Sequence, residues 1–171
     1  MSGDNSLFKM LGKFDQTLKD LPPVDQWNPE LSGYMDMVIK SNGDWVHEGD
    51  LIEKDKLSRL FSTIIRKEGN EYYLVTPVEK WRIIVEDQPF SAVLCEIHDG
   101  CFKIVTNMGE EVELLTPSQL VLDEHEAPKI LIRKNLYARL NRPTYYEVIS
   151  HAIEVNGQYF IQSNGEDFRV G

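Results

Sequence analysis

Apolar side chains recur at helical spacing near the start of the chain, ahead of a pair of prolines. The positions alternate steps of four and three residues: Leu7, Leu11, Phe14, Leu18 and Leu21. This spacing predicts an amphipathic helix that Asn5 or Ser6 caps and Pro22-Pro23 ends. We expect its apolar face to pack on its own domain. A dimer contact is a weaker alternative, and membrane-surface binding is weaker still because the polar face is mixed in charge.

After a short loop, the pattern changes to strands, turns and one helical stripe. Residues 33–40 predict a strand, Asn42-Gly43 a hairpin turn, and residues 44–47 the partner strand. Residues 54–66 predict a buried helix, because apolar residues fall on one face: Leu57, Leu60, Phe61, Ile64 and Ile65.

The middle of the chain, residues 72–90, has the pattern of two strands joined by a corner. Thr76-Pro77 forms the corner, and the acidic pair Glu86-Asp87 followed by Pro89 ends the second strand. We interpret this stretch as the hinge between two halves of the protein.

The second half predicts strand pairing in detail. With Asp99-Gly100 as a two-residue turn, Ile97 faces Phe102, Glu96 faces Lys103 and Cys95 faces Ile104. A loop at residues 107–109 then sets Lys103 opposite Glu113 and Ile104 opposite Val112. The same register places Cys95 and Cys101 on opposite faces, so they should not form a disulfide.

The remaining residues predict one more hairpin, a helix and a final strand pair. Residues 130–133 and 136–140 form the hairpin around Lys134-Asn135. Pro143 suits the first turn of a short helix, and Asn156-Gly157 turns the chain into the last strands.

A faint internal repeat indicates duplication. Residues 76–83 align with residues 163–170: hydroxyl with hydroxyl, glutamate with glutamate, aromatic with aromatic and arginine with arginine. The helical stripe at residues 57–65 lies over a second one at residues 145–153. We therefore predict an N-terminal helix and loop at 1–26, a first unit at 27–86 and a second at 87–171, with the ligand between the two units.

Composition limits the classes of function. The chain has 171 residues, 42% of them hydrophobic, and a net charge of -10, which argues against a nucleic-acid polymer as partner. Two cysteines are too few for a disulfide scaffold, and no apolar run approaches a membrane span. No signal peptide is evident, so we expect a cytoplasmic protein without a membrane partner.

Catalytic and metal motifs are missing from the sequence. It contains no Walker loop, dinucleotide fingerprint, HExxH or GxSxG, and its four histidines are scattered. We expect a non-enzymatic protein with no metal site and no cofactor. A small hydrolase or transferase is the least favoured alternative.

Against the acidic background, residues 127–146 contain no acidic residue. The segment holds five basic ones: Lys129, Arg133, Lys134, Arg139 and Arg142. Arg139 and Arg142 lead into the N-terminus of the predicted helix, whose free N–H groups favour an anion. Tyrosines are interleaved with them, which suits a phosphate or carboxylate attached to a planar group. Alternatively, these arginines pair with acidic residues such as Glu79, Glu86 and Asp87.

Several motifs resemble the bacterial domain-of-unknown-function 1285 family. They are Trp27-Asn28-Pro29, Gly33-Tyr34-Met35-Asp36-Met37, Asn42-Gly43-Asp44-Trp45, Leu60-Phe61, Tyr72-Tyr73-Leu74-Val75-Thr76-Pro77-Val78-Glu79-Lys80, Val85-Glu86-Asp87-Gln88-Pro89-Phe90, Thr106-Asn107 and Arg142-Pro143-Thr144-Tyr145-Tyr146. The resemblance covers residues 27–170. It implies an α+β fold with internal duplication, an N-terminal α/β roll and a C-terminal β-rich unit loosely like pleckstrin-homology folds. It also implies a role in ligand sensing or signal transduction, with a nucleotide-like ligand, and brings no catalytic residue.

Together, these observations favour a binding module for a small anionic ligand such as a nucleotide. Arg139 and Arg142 would bind the anion while Thr76 and Glu79 contact its polar remainder. The full set of candidate ligand-binding residues is Thr76, Glu79, Asp87, Arg139, Arg142 and Tyr145. The alternative is a protein–protein adaptor that uses a strand edge or the N-terminal helix. The sequence does not define the oligomeric state.

Overall fold

The computed structural model describes residues 21–52 and 56–171. The chain forms two compact units, Met1–Glu86 and Asp87–Gly171. The predicted helix over residues 6–21 lies outside the described residues except for Leu21. The described residues are mostly in strands, with two α-helices, one in each unit. Within the described ranges, no helix is long and apolar enough to span a membrane.

A six-stranded sheet forms the N-terminal unit, in the order β3-β2-β1-β6-β5-β4. The strands are β1 Gly33–Ile39, β2 Trp45–His47, β3 Asp50–Ile52, β4 Ile65–Glu68, β5 Glu71–Val75 and β6 Lys80–Val85. They run as two three-stranded meanders joined by helix α1, Lys56–Ser62. The first strand of one meander pairs in parallel with the last strand of the other, and the remaining neighbours are antiparallel.

The core of this unit lies between the sheet and α1. In β1, Met35, Met37 and Ile39 are at most 4% exposed and alternate with exposed or half-buried residues, as a strand with one covered face requires. Trp45 of β2 stacks on Phe61 of α1, with ring centroids 6.1 Å apart. Burial of these large side chains is the main stabilising contribution to the unit.

The helix of this unit is shorter than its stripe of apolar residues predicts. It ends at Ser62, and Ile65 begins β4 instead of continuing the helical face. Backbone bonds from Thr63 to Leu60 and from Ile64 to Phe61 tighten the last turn to i→i−3 spacing. The run of β-branched residues at 63–65 favours this exit, since such side chains suit strands better than helices.

The C-terminal unit repeats the sheet plan. Its six-stranded sheet has the order β10-β11-β12-β7-β8-β9, with β12 and β7 parallel at the centre. The strands are β7 Phe90–His98, β8 Cys101–Thr106, β9 Glu111–Glu113, β10 Leu120–Leu122, β11 Pro128–Arg133 and β12 Leu136–Leu140. A 3-10 helix, Pro117–Gln119, joins the two meanders in place of α1. Helix α2, Arg142–Ser150, leads to a separate three-stranded sheet of β13 Ile153–Val155, β14 Gln158–Ser163 and β15 Glu166–Arg169.

The sheet plan is therefore duplicated, but the strands that occupy equivalent positions in the two units are not the strands that the sequence alignment pairs. Residues 76–83 and 163–170 both contain a turn and the strand that follows it, so their local likeness is structural. However, β6 is a central strand that pairs in parallel with β1, whereas β15 ends a separate sheet. The strand with the topological position of β6 is β12. Local sequence similarity indicates that both segments form a hairpin. It does not indicate which sheet each hairpin belongs to.

The predicted hairpin register at β7 and β8 is confirmed. Ile97 pairs with Phe102, Glu96 with Lys103 and Cys95 with Ile104. The next hairpin also follows the prediction, with Lys103 opposite Glu113 and Ile104 opposite Val112. Lys103 Nζ lies 3.0 Å from a carboxylate oxygen of Glu96, and both cysteines are free thiols.

Ser163 connects the three-stranded sheet to the β8–β9 ladder. Its side chain is fully buried, and its Oγ accepts a hydrogen bond from Phe102 N at 2.9 Å and donates one to Leu114 O at 2.6 Å. The hydroxyl thus stands between two backbone groups of neighbouring strands. Because neither backbone group reaches water, the loss of the hydroxyl would leave a buried donor without a partner.

We predict that Ser163→Ala lowers the free energy of unfolding by about 1–3 kcal/mol, the cost of an unsatisfied buried polar group. The matched control is Ser150→Ala, because Ser150 is exposed and its Oγ only donates to Glu147 O in the same helix. The control should stay within about 0.5 kcal/mol of wild type. Urea denaturation measures both, and equal stability of the two variants would contradict the bridging role.

Candidate functional site

The six candidate residues are divided between the two units. Thr76 and Glu79 belong to the N-terminal unit. The other four, in the C-terminal unit, are Asp87, Arg139, Arg142 and Tyr145.

Thr76 builds its own turn. Its side chain is 1% exposed, and Oγ1 accepts hydrogen bonds from the backbone N–H groups of Val78 and Glu79, at 3.3 and 3.0 Å. This contact closes the Thr-Pro corner between β5 and β6 and occupies the hydroxyl oxygen. Glu79 Oε2 is buried and has no hydrogen-bond partner among the described residues.

Arg139 joins three segments of the C-terminal unit through all five of its N–H donors. Nε and Nη2 donate to the two carboxylate oxygens of Asp87, at 2.8 and 3.0 Å. Nη2 also donates to Asp123 at 2.8 Å, and Nη1 donates to the carbonyl oxygens of Ala127 and Pro128, at 3.2 and 3.1 Å. The bidentate contact with Asp87 is the geometry in which arginine binds carboxylates most strongly.

The positive charge of Arg139 is neutralised within the protein by two carboxylates, those of Asp87 and Asp123. The side chains of Arg139, Asp87 and Asp123 are each 30% exposed or less, so solvent screens the three charges only in part. The pKa of Asp123 is lowered, first by the hydrogen bond from Ala127 N and then by those from His125 N and Arg139. The pKa of Arg139 is raised, mainly by its hydrogen bond with Asp87. Arg139 therefore pairs with acidic residues of the protein, which is the alternative given for the arginines of the basic segment.

Beside this cluster lies a pocket of about 400 Å³. It is lined by His125, Glu126, Ala127, Pro128, Arg139, Leu140, Arg142, Tyr145 and Tyr146. The pocket thus brings together three of the residues that the sequence singled out. Its volume lies within the range of small-molecule sites in proteins.

Arg142 differs from the other arginines of the basic segment. It is exposed at the first position of α2 and forms no hydrogen bond or ion pair with any described residue. Arg133, by contrast, pairs with Glu110 and lies over the ring of Phe90. Arg142 therefore contributes a guanidinium that the described part of the protein does not neutralise.

Two tyrosines follow Arg142 on the same helix and line the same pocket. Tyr145 is half-buried, Tyr146 is 62% exposed, and their ring centroids lie 5.9 Å apart with a tilt of 56°. Aromatic rings beside a guanidinium are suited to a planar ligand group, which they can contact at low entropy cost.

The N-terminus of α2 offers fewer free N–H groups than the sequence pattern predicts. Asn141 caps the helix, and its Oδ1 accepts from Thr144 N at 3.0 Å. Pro143 has no N–H to offer. Two of the first three helical positions are therefore unavailable to an anion, and binding at this end would depend on the Arg142 side chain.

The role of Asp123 in shaping the pocket was not predicted from the sequence. Asp123 Oδ1 accepts from the N–H groups of His125 and Ala127, at 2.8 and 3.0 Å, and so folds the acidic loop that lines the pocket. An aspartate ahead of such a loop is a known signal of an Asx turn. Its partnership with Arg139, sixteen residues later, has no local signal.

Metal ligands do not converge in the part of the chain that the structure describes. No group of three His, Cys, Asp or Glu side chains there could hold a metal ion.

We predict that Arg139→Ala lowers the free energy of unfolding by about 2–3 kcal/mol, because it leaves two carboxylates and two carbonyls without their donor. Arg142→Ala is the matched control and should cost less than about 0.5 kcal/mol, since Arg142 has no partner to lose within residues 21–52 and 56–171. Chemical denaturation distinguishes the two. A wild-type-like Arg139→Ala would show that the cluster does not hold these segments together.

Acid should destabilise the protein in part through Asp123. Its pKa is lower in the folded chain than the unfolded value near 3.9, so its contribution is present above that value and is lost as pH falls through the folded pKa. Asp123→Asn should therefore lose less stability than wild type when the pH falls from about 5 to 2. Urea titrations at each pH measure this, and identical slopes for both proteins would contradict the assignment.

Two protein-family models match the chain, one over each unit. The model described as "Domain of unknown function (DUF1285), N-terminal domain" matches residues 22–88. That described as "Protein of unknown function (DUF1285), C-terminal domain" matches residues 89–170. No curated protein matches the chain.

Two crystal structures agree with this result. A DUF1285 family protein from Silicibacter pomeroyi DSS-3 is 30% identical, with a TM-score of 0.78 over 94% of this chain and 93% of that chain. A DUF1285 family protein from Shewanella baltica OS155 is 28% identical, with a TM-score of 0.59 over 68% of this chain and 91% of that chain. The resemblance seen in the sequence is confirmed, and the chain belongs to the DUF1285 family.

Proposed function

We propose that the C-terminal unit binds a small anionic ligand that carries a planar group, such as a nucleotide. The observation that carries the proposal is the guanidinium of Arg142, which pairs with no described residue and lies beside Tyr145 and Tyr146 in the pocket of about 400 Å³. Arg142 binds the phosphate or carboxylate, and the tyrosines contact the planar group. The protein is a non-enzymatic sensing module in this proposal.

Arg139 has a different role from the one expected of it. Its donors are occupied by Asp87, Asp123 and two carbonyl oxygens, so it shapes the pocket wall and leaves the anion to Arg142. Asp87 is likewise a structural partner. Thr76 and Glu79, which the sequence assigned to the same ligand, belong to the N-terminal unit and are not needed for this pocket.

The acidic side chain in the pocket does not remove the positive charge of Arg142. Glu126 lies 3.5 Å from Arg169, which offsets its charge. The remaining cation faces a small site on a protein of net charge -10. A ligand with one compact anionic group therefore fits better than an extended polyanion.

Isothermal calorimetry with AMP tests the proposal, with adenosine as the uncharged comparison. Wild type should bind AMP more tightly than adenosine. Arg142→Ala should weaken AMP binding about tenfold, the loss expected for one charge-assisted hydrogen bond. Arg142→Lys, which keeps the charge and loses the planar fork, should be intermediate.

The matched control is Arg59→Ala, because Arg59 is an exposed arginine of α1 for which no ion pair is seen among the described residues. It should bind AMP as wild type does. Equal AMP affinity of wild type and Arg142→Ala would reject the role of Arg142. If wild type binds none of AMP, phenyl phosphate and benzoate, the proposal as a whole fails.

An adaptor function is the second candidate, and β13 favours it. This strand lies at the edge of the three-stranded sheet, and its three residues are all exposed, with Ile153 at 56% and Val155 at 48%. An open apolar edge can accept a strand from a partner. A bacterial protein that co-purifies with wild type and not with Val155→Lys would support this function over ligand binding.

Two finer expectations accompany the proposal. The C-terminal β-rich unit is expected to resemble pleckstrin-homology folds loosely. The protein is expected to act in the cytoplasm in signal transduction. Both follow from the family resemblance and the composition.

A further inference from the structure

The side of the N-terminal sheet opposite α1, which we call the outer face, carries a row of apolar side chains. The strand register sets them next to one another on four strands: Leu51, Val46, Val38 and Ile84. Leu51 is 59% exposed and Ile84 60% exposed, and the two valines are half-buried. The solvent-facing side of a sheet is normally polar, so a continuous apolar row is typical of a surface that binds another molecule.

Two carboxylates border this row and have no partner in the part of the chain that the structure describes. Asp36 lies two residues before Val38 on β1, and Glu48 N donates to Asp36 O at 2.9 Å, which makes the two acidic residues neighbours. Both are exposed, and neither side chain forms an ion pair or a hydrogen bond with a described residue. Like charges on neighbouring strands repel each other, so a cation supplied by a partner would relieve this repulsion and also form an ion pair.

The cations of the outer face, by contrast, are already paired. Arg66 and Lys80 both contact the carboxylate of Glu68. Arg82 contacts the carboxylate of Glu71. Among the described residues, the charge that remains available on this face is therefore negative, and it complements a basic partner.

A shallow pocket of about 320 Å³ adjoins the row at Ile84. Tyr34, which is 70% exposed, also belongs to its lining. Arg82, in the same lining, pairs with Glu71 and donates to Tyr34 Oη at 2.7 Å, so the charge inside the pocket is balanced. An apolar or aromatic side chain therefore suits this pocket better than a charged one.

The distance between the pocket and the free carboxylates defines the pattern of the partner. Tyr34, Asp36 and Val38 alternate along β1 with buried residues, so they share the outer face at intervals of about 7 Å. Two residues of an extended chain also span about 7 Å. A segment that runs along β1 can therefore place an apolar side chain at Tyr34 and a basic one, two residues along, at Asp36.

We propose that the outer face binds an extended, basic segment of another protein. An apolar side chain of this segment enters the pocket at Tyr34, and a lysine or arginine two residues along pairs with Asp36 and Glu48. This inference is independent of the pocket at Arg142 and of the edge strand β13.

The size of the face fits a segment better than a folded domain. Four strands span about 15 Å, and the seven residues of β1 extend about 23 Å, which gives an area of about 350 Å². A stable interface between folded proteins buries about 800 Å² on each partner. The net charge of -10 also disfavours a second copy of this chain as the occupant.

Selection from a phage library of random nine-residue peptides, with the full chain as the target, tests the inference. The enriched peptides should carry lysine or arginine two positions from an apolar residue more often than the starting library does. The tightest peptide should produce saturable changes in the wild-type methyl signals of Val38, Val46 and Ile84 during an NMR titration.

Removal of the two free carboxylates tests the role of charge. Asp36→Asn combined with Glu48→Gln should weaken binding of the selected peptide about tenfold, the loss expected for one charge-assisted contact. The affinity of wild type should also fall as salt is added. The matched control is Glu154→Gln combined with Glu166→Gln, which removes the same charge from two exposed residues of the C-terminal unit and should bind as wild type does.

The inference is overturned if no peptide is enriched or if the enriched peptides lack basic residues. Shifts confined to the C-terminal unit, or equal weakening in the test and control variants, would also overturn it. Two further results would assign the face to a different occupant. In the free wild-type protein, nuclear Overhauser contacts between the Ile84 methyl and residues 1–20 would assign it to the chain itself. Contacts between differently labelled copies would assign it to a second molecule.

Discussion

The guanidinium of Arg139 is the contact on which the candidate site depends. It connects Asp87, at the entrance to β7, with the loop at 123–128 and with its own strand β12. Because all five donors are used, the position of each segment fixes the others, and the pocket wall is set before any ligand arrives. The same contacts leave Arg139 with no free N–H donor for an anion. Arg139 thus holds the pocket wall in place, and Arg142 on α2 provides a guanidinium that the described part of the chain leaves unpaired.

The shared sheet plan explains how the site arises. In both units, two three-stranded meanders meet through a central parallel pair, β1 with β6 and β7 with β12. A parallel pair needs a crossover connection, which is helix α1 in the first unit and the 3-10 helix with its flanking loops in the second. In the second unit, β12, the last strand of the second meander, continues directly into α2. The end of a central strand and the start of a helix therefore lie together, and Arg142 and the two tyrosines stand at that junction.

The sequence predicts this structure well where the determinants are local. The turns at Asp99-Gly100 and residues 107–109 set the register of three strands, since each turn type fixes the residues that face each other. Prediction fails where distant segments decide. Ile64 and Ile65 continue a helical stripe, yet the sheet takes Ile65 into β4. The two carboxylate partners of Arg139 lie 52 and 16 residues away, and Ser163 bridges to a strand 61 residues away. No local pattern encodes such contacts, so the basic segment could be recognised as a site but its members could not be assigned separate roles.

Backbone NMR shifts of the full chain during titration with AMP test the central claim most directly. The account predicts saturable changes concentrated at residues 125–128 and 139–146, which border the pocket, with the largest at Arg142 and Tyr145. Saturable changes clustered in the N-terminal unit, or no saturable change with AMP at millimolar concentration, would contradict it.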